Sequence, residues 1–256
     1  MLLCVNVSNS KISLAVFEGE QIAFKTSVAA VVDKTAAEYA ILFKSVFNLH
    51  DFDTEKISGV IISCVVPALT AAVKDALAFI YKGKIFVVGP KLKNGLKIKS
   101  ENPSQIGAGL ICQSVAMADK YPAPCLLISM GTALSMFALD KNATFIGGAI
   151  LPGIKMSAMA LSEHTAQLPQ IDLTQSPVGV IGANTVQNVQ SGLIIGTACA
   201  IDGMIERFKQ ELGDNLTCVA TGDIGSTVLS HCNNEIIYDE NLVFDGLRKI
   251  YLKNMK

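Results

Sequence analysis

Residues 125–153 read CLLISMGTALSMFALDKNATFIGGAILPG, and this stretch decides the fold. Its alternation of apolar runs and turns predicts three short strands, at Cys125–Ile128, Leu134–Leu139 and Thr144–Leu151. The turn between the first two strands contains Gly131 and Thr132. Because glycine adds no Cβ, such a turn lets backbone N–H groups and a hydroxyl approach a phosphate closely. Taken alone, the stretch is more typical of an ordinary glycine-containing β-hairpin, because lone Gly-Thr turns are common.

The N-terminus repeats this unit. Leu2–Phe17 reads LLCVNVSNSKISLAVF, which is again a buried strand, a small polar turn and a second strand. Asn6 aligns with Ser129, an offset of 129 − 6 = 123 residues in a chain of 256. A hairpin unit repeated at half the chain length predicts duplicated domains, which we place at residues 1–120 and 121–256. Paired hairpins of this kind resemble actin and the sugar kinases, in which the two turns hold the phosphates of one ATP. We therefore expect an α/β fold of two actin-like, ribonuclease H-like domains with mixed sheets.

The composition agrees with buried sheets that are covered by helices. Half of the residues are hydrophobic, only 17% are charged, and the net charge is −1. This charge gives no electrostatic reason to expect a nucleic acid or an anionic membrane as partner. Gly192–Ile201 is the longest later apolar run and is too short to span a bilayer. The seven cysteines include no CxxC pair and the three histidines are scattered, so we expect a cytoplasmic protein with reduced thiols and no metal site.

Periodicity predicts the remaining elements. Strands are expected at Gln21–Ser27, Ile57–Val66, Lys84–Val88 and Thr217–Thr221. Helices are expected at Lys34–Phe47, Pro67–Ile80, Gln105–Lys120, Gly153–His164 and Asn241–Lys253, and one or two core helices are expected within Asn184–Leu212. Asp33 is the expected N-cap of the first helix, and Pro67 the expected first residue of the second. The irregular stretch Thr165–Ile181 is long enough to suggest a functional loop.

Stretches along nearly the whole chain resemble the type III pantothenate kinases. They include ISCVVPAL (62–69), VVGPKLKNGLKI (87–98), ENPSQIGAGL (101–110), SMGTALS (129–135), GGAILPG (147–153), TAQLP (165–169), IGANT (181–185) and ENLVFDGLRKIYLKN (240–254). The resemblance implies a dimer with its active site at the subunit interface, and ATP-dependent phosphorylation of pantothenate, the first step of coenzyme A synthesis. ATP, Mg²⁺ and a monovalent cation are the cofactors it implies.

The phosphate and cation motifs depart from the family pattern. The family's first phosphate motif is D-x-G-N-T, and here the same positions are Asn6, Val7, Ser8, Asn9 and Ser10. The second motif begins D-F-G-T, and its aspartate, which serves the cation site, is replaced by Ser129 ahead of the retained Gly131 and Thr132. Both acidic positions are therefore neutral in this chain.

The base and substrate motifs depart as well. The family's G-A-D-R carries the base and an arginine, and here it reads Gly107, Ala108, Gly109 and Leu110. The tyrosine expected in the substrate pocket is Ser100. Thr185 is retained at the position that reaches the pantothenate pocket of the other subunit.

These replacements leave three interpretations open. Phosphoryl transfer relies on positioned charge, and Mg²⁺ prefers anionic oxygens, so the loss of three acids argues against catalysis and against binding of the family's cofactors. The chain is then a degenerate subunit that pairs with an active paralogue. The alternatives are an active but atypical kinase, and a non-enzymatic regulator or accessory factor of the same fold. In each case we expect a homodimer or heterodimer, with an interface on Thr165–Pro169 and the helix that begins at Asn184.

Overall fold

The computed structural model describes residues 1–223 and 225–255. They form two compact units. The first contains Met1–Leu96, Glu101–Ala116 and the segment that begins at Leu242, and the second contains Lys97–Ser100 and Met117–Asn241. Compared with the predicted domains 1–120 and 121–256, the C-terminal segment groups with the first unit. The short stretch Lys97–Ser100 groups with the second.

The secondary structure follows the sequence pattern closely. The strands of the described residues are β1 (Leu2–Val7), β2 (Lys11–Glu18), β3 (Gln21–Ala29), β4 (Gly59–Cys64), β5 (Ile85–Val87), β6 (Lys97–Ile98), β7 (Cys125–Met130), β8 (Ala133–Leu139), β9 (Thr144–Pro152), β10 (Thr217–Thr221) and β11 (Ile237–Tyr238). The helices are α1 (Ala36–Leu49), α2 (Pro67–Ala78), α3 (Ala108–Lys120), α4 (Ile154–Glu163), α5 (Thr185–Leu212), α6 (Gly225–Leu229) and α7 (Leu242–Asn254). Sequence patterns missed β6, β11 and α6, which have only two to five residues each.

The two sheets repeat one topology. In the first unit the strand order is β3-β2-β1-β4-β5, and in the second it is β11-β10-β7-β8-β9-β6. Read from β9, the second order is β9-β8-β7-β10-β11, which matches the first strand for strand, with β6 added at the edge. In both units the hairpin is antiparallel and the next neighbour is parallel. The predicted duplicated α/β fold with mixed sheets is confirmed.

The two hairpins differ at their turns. Val7 pairs with Ile12 across the first turn, and Met130 pairs with Leu134 across the second, so the second turn is one residue shorter. Asn6 and Ser129 nevertheless occupy matching positions, each on the central strand of its sheet. The sequence alignment therefore holds along the strands, and the difference is confined to the loops.

In the first unit, α1 and α2 share the core with the sheet, and local features set where each helix begins. Large side chains of both helices are fully buried with the apolar residues of β1, β2 and β4. Thr35 caps α1: its Oγ1 accepts from the Glu38 N–H at 3.3 Å, and Glu38 Oε2 accepts from the Thr35 N–H at 2.8 Å. The expected cap at Asp33 is wrong because this reciprocal pair starts the helix two residues later. Pro67 is the first residue of α2, as predicted.

The second unit is built on α5, a single helix of 28 residues. One face of α5, including Ile194, Ala198 and Ile201, is fully buried in a cluster with residues of β7 and β8. Residues 164–184 contain no helix or strand, which confirms the predicted irregular loop. Among the described residues no helix combines the length and the apolar character needed to cross a membrane.

Candidate functional site

Two positions that are acidic in the family motifs lie side by side in the first unit. Asn6 on β1 pairs in register with Ser63 on the parallel strand β4. Gly109 lies in the first turn of α3. A Cβ built on Gly109 would be 3.9 Å from Asn6 Oδ1 and 4.0 Å from Ser63 Oγ. The structure thus brings together residues 103 positions apart in sequence, and their side chains at this point are neutral.

The first turn uses its polar groups internally. The Ser8 hydroxyl donates to the Lys11 carbonyl at 3.0 Å and accepts from the Lys11 N–H at 3.2 Å. The Ser10 carbonyl accepts from the Ala30 N–H at 3.1 Å. Asn9 and Ser10 are exposed at the tip. Of the expected phosphate-loop residues, Ser8 is therefore already satisfied by its own turn.

Two buried thiols adjoin this neutral group. Burial raises the pKa of Cys112 to about 12, although the nearby Ser63 hydroxyl opposes the rise. Burial, and then the neighbouring Cys112, raise the pKa of Cys4 well above its usual value. Both side chains are consequently protonated at neutral pH and are not nucleophiles. The group formed by Asn6, Ser63 and Gly109 is therefore uncharged rather than acidic.

The corresponding position in the second unit is equally neutral. Ser129 on β7 pairs with Ser135 on β8 and with Thr221 on β10, so a row of three hydroxyl residues crosses the sheet. Asp223 is the nearest carboxylate along β10, two residues beyond Thr221. Among residues 1–223 and 225–255, no group of three His, Cys, Asp or Glu side chains could hold a metal ion. This row does not fit Mg²⁺, which prefers carboxylate oxygens.

The second turn expected to hold a phosphate is fixed against α4. Gly131 and Thr132 are exposed, and the Thr132 carbonyl accepts from the Gly153 N–H at 3.1 Å. A Cβ on Gly153 would lie 2.3 Å from that carbonyl oxygen, so only glycine permits this approach. The Gly-Thr turn is therefore held by the glycine that precedes α4, and Gly153 belongs to the retained GGAILPG stretch.

Thr185 is the first residue of α5 and is exposed. The Asn184 side chain caps the helix by accepting from the Gln187 N–H at 3.0 Å. Gly182 approaches α5 so closely that a Cβ there would be 2.5 Å from the Asn188 nitrogen. Thr185 and Asn188 are the polar residues of a cavity of about 400 Å³, whose other walls are apolar or glycine. That volume is within the range of small-molecule sites.

The other predicted site residues have less distinctive surroundings. Ser100 is exposed after β6, while Gly107 and Ala108 lead into α3 and are half-buried. Leu110 is half-buried in the first turn of α3, at the family's arginine position. Ser63 was not predicted as a site residue; it is fully buried, and its hydroxyl lies beside the Cys112 thiol. Its only signal in the sequence was a serine inside an otherwise apolar strand.

The duplicated sheets and paired hairpins define a protein of the actin-like and sugar-kinase fold. Component A of the (R)-2-hydroxyglutaryl-CoA dehydratase of Acidaminococcus fermentans has this fold. The two structures match with a TM-score of 0.56 and 14% sequence identity, and the match covers 100% of this chain and 99% of that chain. The inorganic polyphosphate/ATP-glucomannokinase of Arthrobacter also has this fold. It matches with a TM-score of 0.50 and 11% sequence identity, and the match covers 98% of each chain.

Sequence comparison narrows this class to one family. The family described as Type III pantothenate kinase matches residues 2–207. A type III pantothenate kinase of Brevibacillus brevis is 36% identical over 254 residues, with 99% of each chain covered. One from an Exiguobacterium species is 36% identical over 256 residues and covers both chains completely. The chain belongs to the type III pantothenate kinase family.

Proposed function

We propose that this chain is a catalytically degenerate pantothenate kinase subunit that acts in a cytoplasmic heterodimer with an active paralogue. One observation carries the proposal. At Asn6, Gly109 and Ser129, the positions of the family's acids, the chain has only neutral residues, and the first two lie together in the first unit. The base and the carboxylates that would hold a cation are both missing.

The expected loss of rate is large. Removing a general base alone typically lowers a rate by about 10²–10⁴. Phosphoryl transfer depends further on cations that neutralise the developing charge, so losing their carboxylates should lower it more. Asp223 is a single carboxylate and does not replace three. We therefore expect the isolated chain to bind ATP–Mg²⁺ poorly and to show no measurable phosphorylation of pantothenate.

An exposed apolar surface supports the pairing. Val178, Val180 and Ile181 are 90%, 72% and 94% exposed, next to the start of α5. Val180 and Ile181, with Gly192 and Gly196 of α5, line a second cavity of about 430 Å³. Exposed apolar clusters of this kind mark protein interaction sites, and glycines allow helix backbones to approach. We assign this surface, which we call the α5 surface, to the dimer interface.

The proposed division of labour follows from what is retained. The partner would supply phosphate loops, cation ligands and base, and this chain would supply the wall of the pantothenate site that carries Thr185. One site of the heterodimer would then be active and the other inactive. An active kinase homodimer of this chain is the main competing outcome.

Co-expression tests the proposal. The chain is purified alone and together with the nearest paralogue that has intact D-x-G-N-T and G-A-D-R motifs, and native mass and pantothenate phosphorylation are measured. We expect activity only in the mixed sample, and a mass equal to one copy of each chain. Turnover by the isolated chain at an ordinary kinase rate, or no association between the two, contradicts it.

A matched pair of variants separates a functional wall from a passive partner. Thr185→Ala should weaken pantothenate binding by the complex, because a hydrogen bond to substrate contributes about 0.5–3 kcal/mol. Ser10→Ala, at the exposed tip of this chain's own phosphate turn, should leave affinity unchanged. Calorimetry on the purified complexes measures both. Equal affinities for Thr185→Ala and the unsubstituted complex would show that this chain contributes no substrate contact.

A further inference from the structure

Positive charge is concentrated in two segments of the sequence. Residues 76–100 and 246–256 contain ten Lys and Arg residues and no Asp or Glu, whereas the rest of the chain contains eleven Lys and Arg residues and all 22 acids. The net charge of −1 therefore combines a basic part with a larger acidic remainder. Such an asymmetry indicates where an oppositely charged partner is attracted.

The structure brings the two basic segments together in the first unit. Asn254, at the end of α7, accepts from the Lys93 N–H at 3.2 Å and donates to the Lys93 carbonyl at 2.9 Å. The Tyr251 ring packs edge-on against Phe86 of β5, with the ring centroids 5.4 Å apart. Lys84 Nζ lies 4.6 Å from the centroid of the same Phe86 ring. The last turn of α7 and the loop that follows β5 therefore form one surface beside β5.

Lysines on this surface are exposed and have no acidic partner. They are Lys84 immediately before β5, Lys91 and Lys93 in the loop after it, and Lys253 in the last turn of α7. Within the described part of the chain none of the four forms an ion pair. An acidic partner could bind them without breaking an existing ion pair.

The strand β5 also has a free edge. It is the last strand of the first sheet, and among the described strands it pairs with β4 alone. The Val88 N–H donates to the Ile62 carbonyl of β4 at 2.8 Å. Because backbone groups point alternately to the two sides of a strand, Phe86 is also directed at β4, whereas Ile85 and Val87 are directed outwards. In residues 1–223 and 225–255 no backbone hydrogen bond reaches Ile85 or Val87 from that side. Unpaired edges of this kind accept a further strand.

We propose that the outer edge of β5 and these four lysines form a docking site for an extended acidic segment of a partner protein. We call this site the β5 edge. The segment adds one strand to the first sheet through the backbone of Ile85 and Val87, and its carboxylates lie against the lysines. Every residue of the site belongs to the first unit and none lies on the α5 surface, so the inference is independent of the proposed heterodimer.

The charge distribution favours a short protein segment over a nucleic acid or an anionic membrane. A long polyanion would extend beyond the four lysines and be repelled by the acidic remainder of the chain, whereas a short segment contacts the lysines alone. Leu252 and Met255, at the same end of α7, are 44% and 58% exposed. They offer apolar contacts to the side chains of a peptide that a phosphate backbone cannot use.

A synthetic peptide tests the β5 edge. A fluorescein-labelled peptide of about ten alternating Glu and Val residues, the length of an ordinary strand, is titrated into the full chain at low and at physiological ionic strength. We expect saturable binding that weakens as salt is added. Hydrogen exchange of the Ile85 and Val87 amides should slow in the complex, because strand pairing protects them.

Charge reversal tests the lysines. Lys84→Glu combined with Lys93→Glu should raise the Kd of the peptide about tenfold, since two attractive contacts become repulsive. Lys44→Glu combined with Lys74→Glu is the matched control, because it makes the same change in net charge at exposed positions on α1 and α2 of the first unit. Its Kd should stay within about twofold of that of the unsubstituted chain.

Proline substitution tests the strand pairing. Val87→Pro removes an outward N–H but no bond to β4, so it should weaken binding and preserve the fold, whereas Val87→Thr keeps the N–H and should bind normally. A peptide of the same charge with two central prolines should bind much more weakly than the parent peptide. Circular dichroism checks the fold of each variant.

Several results would overturn the β5 edge. They are the absence of saturable peptide binding, equal affinity for the proline-containing peptide, unchanged exchange at Ile85 and Val87, and equal effects of the two double charge reversals. Tighter binding of oligothymidylate or of phosphatidylserine vesicles than of the acidic peptide also overturns it, because the lysines would then serve a nucleic acid or a lipid surface. If Val87→Pro does not fold, the proline-containing peptide decides the strand pairing.

Discussion

Gly246→Ala is expected to destabilise the first unit strongly. Gly246 lies on α7 at the point where this helix meets α3. A Cβ there would be 1.8 Å from the Cys112 carbonyl oxygen, 2.4 Å from its carbon and 2.9 Å from its Cα. All three atoms are backbone, so a side-chain rotation cannot relieve the overlap. The two helices would have to separate by more than an ångström.

The size of the effect can be bounded. Inserting a group into a packed core costs about 1–3 kcal/mol and sometimes more, and an immovable backbone neighbour places this case at the upper end. Alanine regains up to about 1 kcal/mol of helix propensity relative to glycine. We therefore expect a net loss of about 2–3 kcal/mol in the free energy of unfolding.

Urea denaturation followed by circular dichroism measures this change, with Gly203→Ala as the matched control. Gly203 is an exposed glycine of α5, and a Cβ there meets nothing within 4 Å. The control should gain up to about 1 kcal/mol from helix propensity alone. If the two variants change stability in the same direction, or Gly246→Ala stays within about 0.5 kcal/mol of the unsubstituted chain, the packing explanation is refuted.

Three further outcomes are expected. Ile181→Asp should abolish the dimerisation that light scattering measures. Leu49→Asp, which alters an apolar residue 80% exposed in the first unit, should leave the dimer intact. A dimer that survives Ile181→Asp excludes the α5 surface as the dimer interface. Burial raises the pKa of Asp202, but hydrogen bonds from Asn233 and Asn234 more than offset this and hold it below its usual value. The stability that this lowered pKa gives is present above about pH 4 and is lost as the pH falls further. The Asp202→Asn variant should therefore show a shallower acid transition in pH-dependent unfolding. Identical transitions for the variant and the unsubstituted chain would contradict the assignment. Gly109→Asp alone should not restore pantothenate phosphorylation, because the cation positions stay neutral, and measurable turnover in that variant would show that the base was the only missing part.

Much of the fold could be predicted because its signals are local. Apolar runs bounded by Gly, Ser and Asn define the strands of both hairpins, and Pro67 marks the start of α2. The prediction of Asp33 as the cap was wrong because the reciprocal hydrogen bonds between Thr35 and Glu38 start the helix two residues later. Short pieces such as β6 and β11 depend on pairing with β9 and β10, and their own sequences hold too few residues to show a period.

The sequence by itself determined the duplicated α/β fold, the family and the presence of neutral residues at Asn6, Gly109 and Ser129, because each depends on residue types at fixed positions along the chain. Only the tertiary structure decided which of these positions meet. Asn6, Ser63 and Gly109 are far apart in sequence, and strand pairing between β1 and β4 together with the start of α3 brings them together. The same holds for Gly246, where the return of α7 to the first unit sets a backbone contact that no local pattern records.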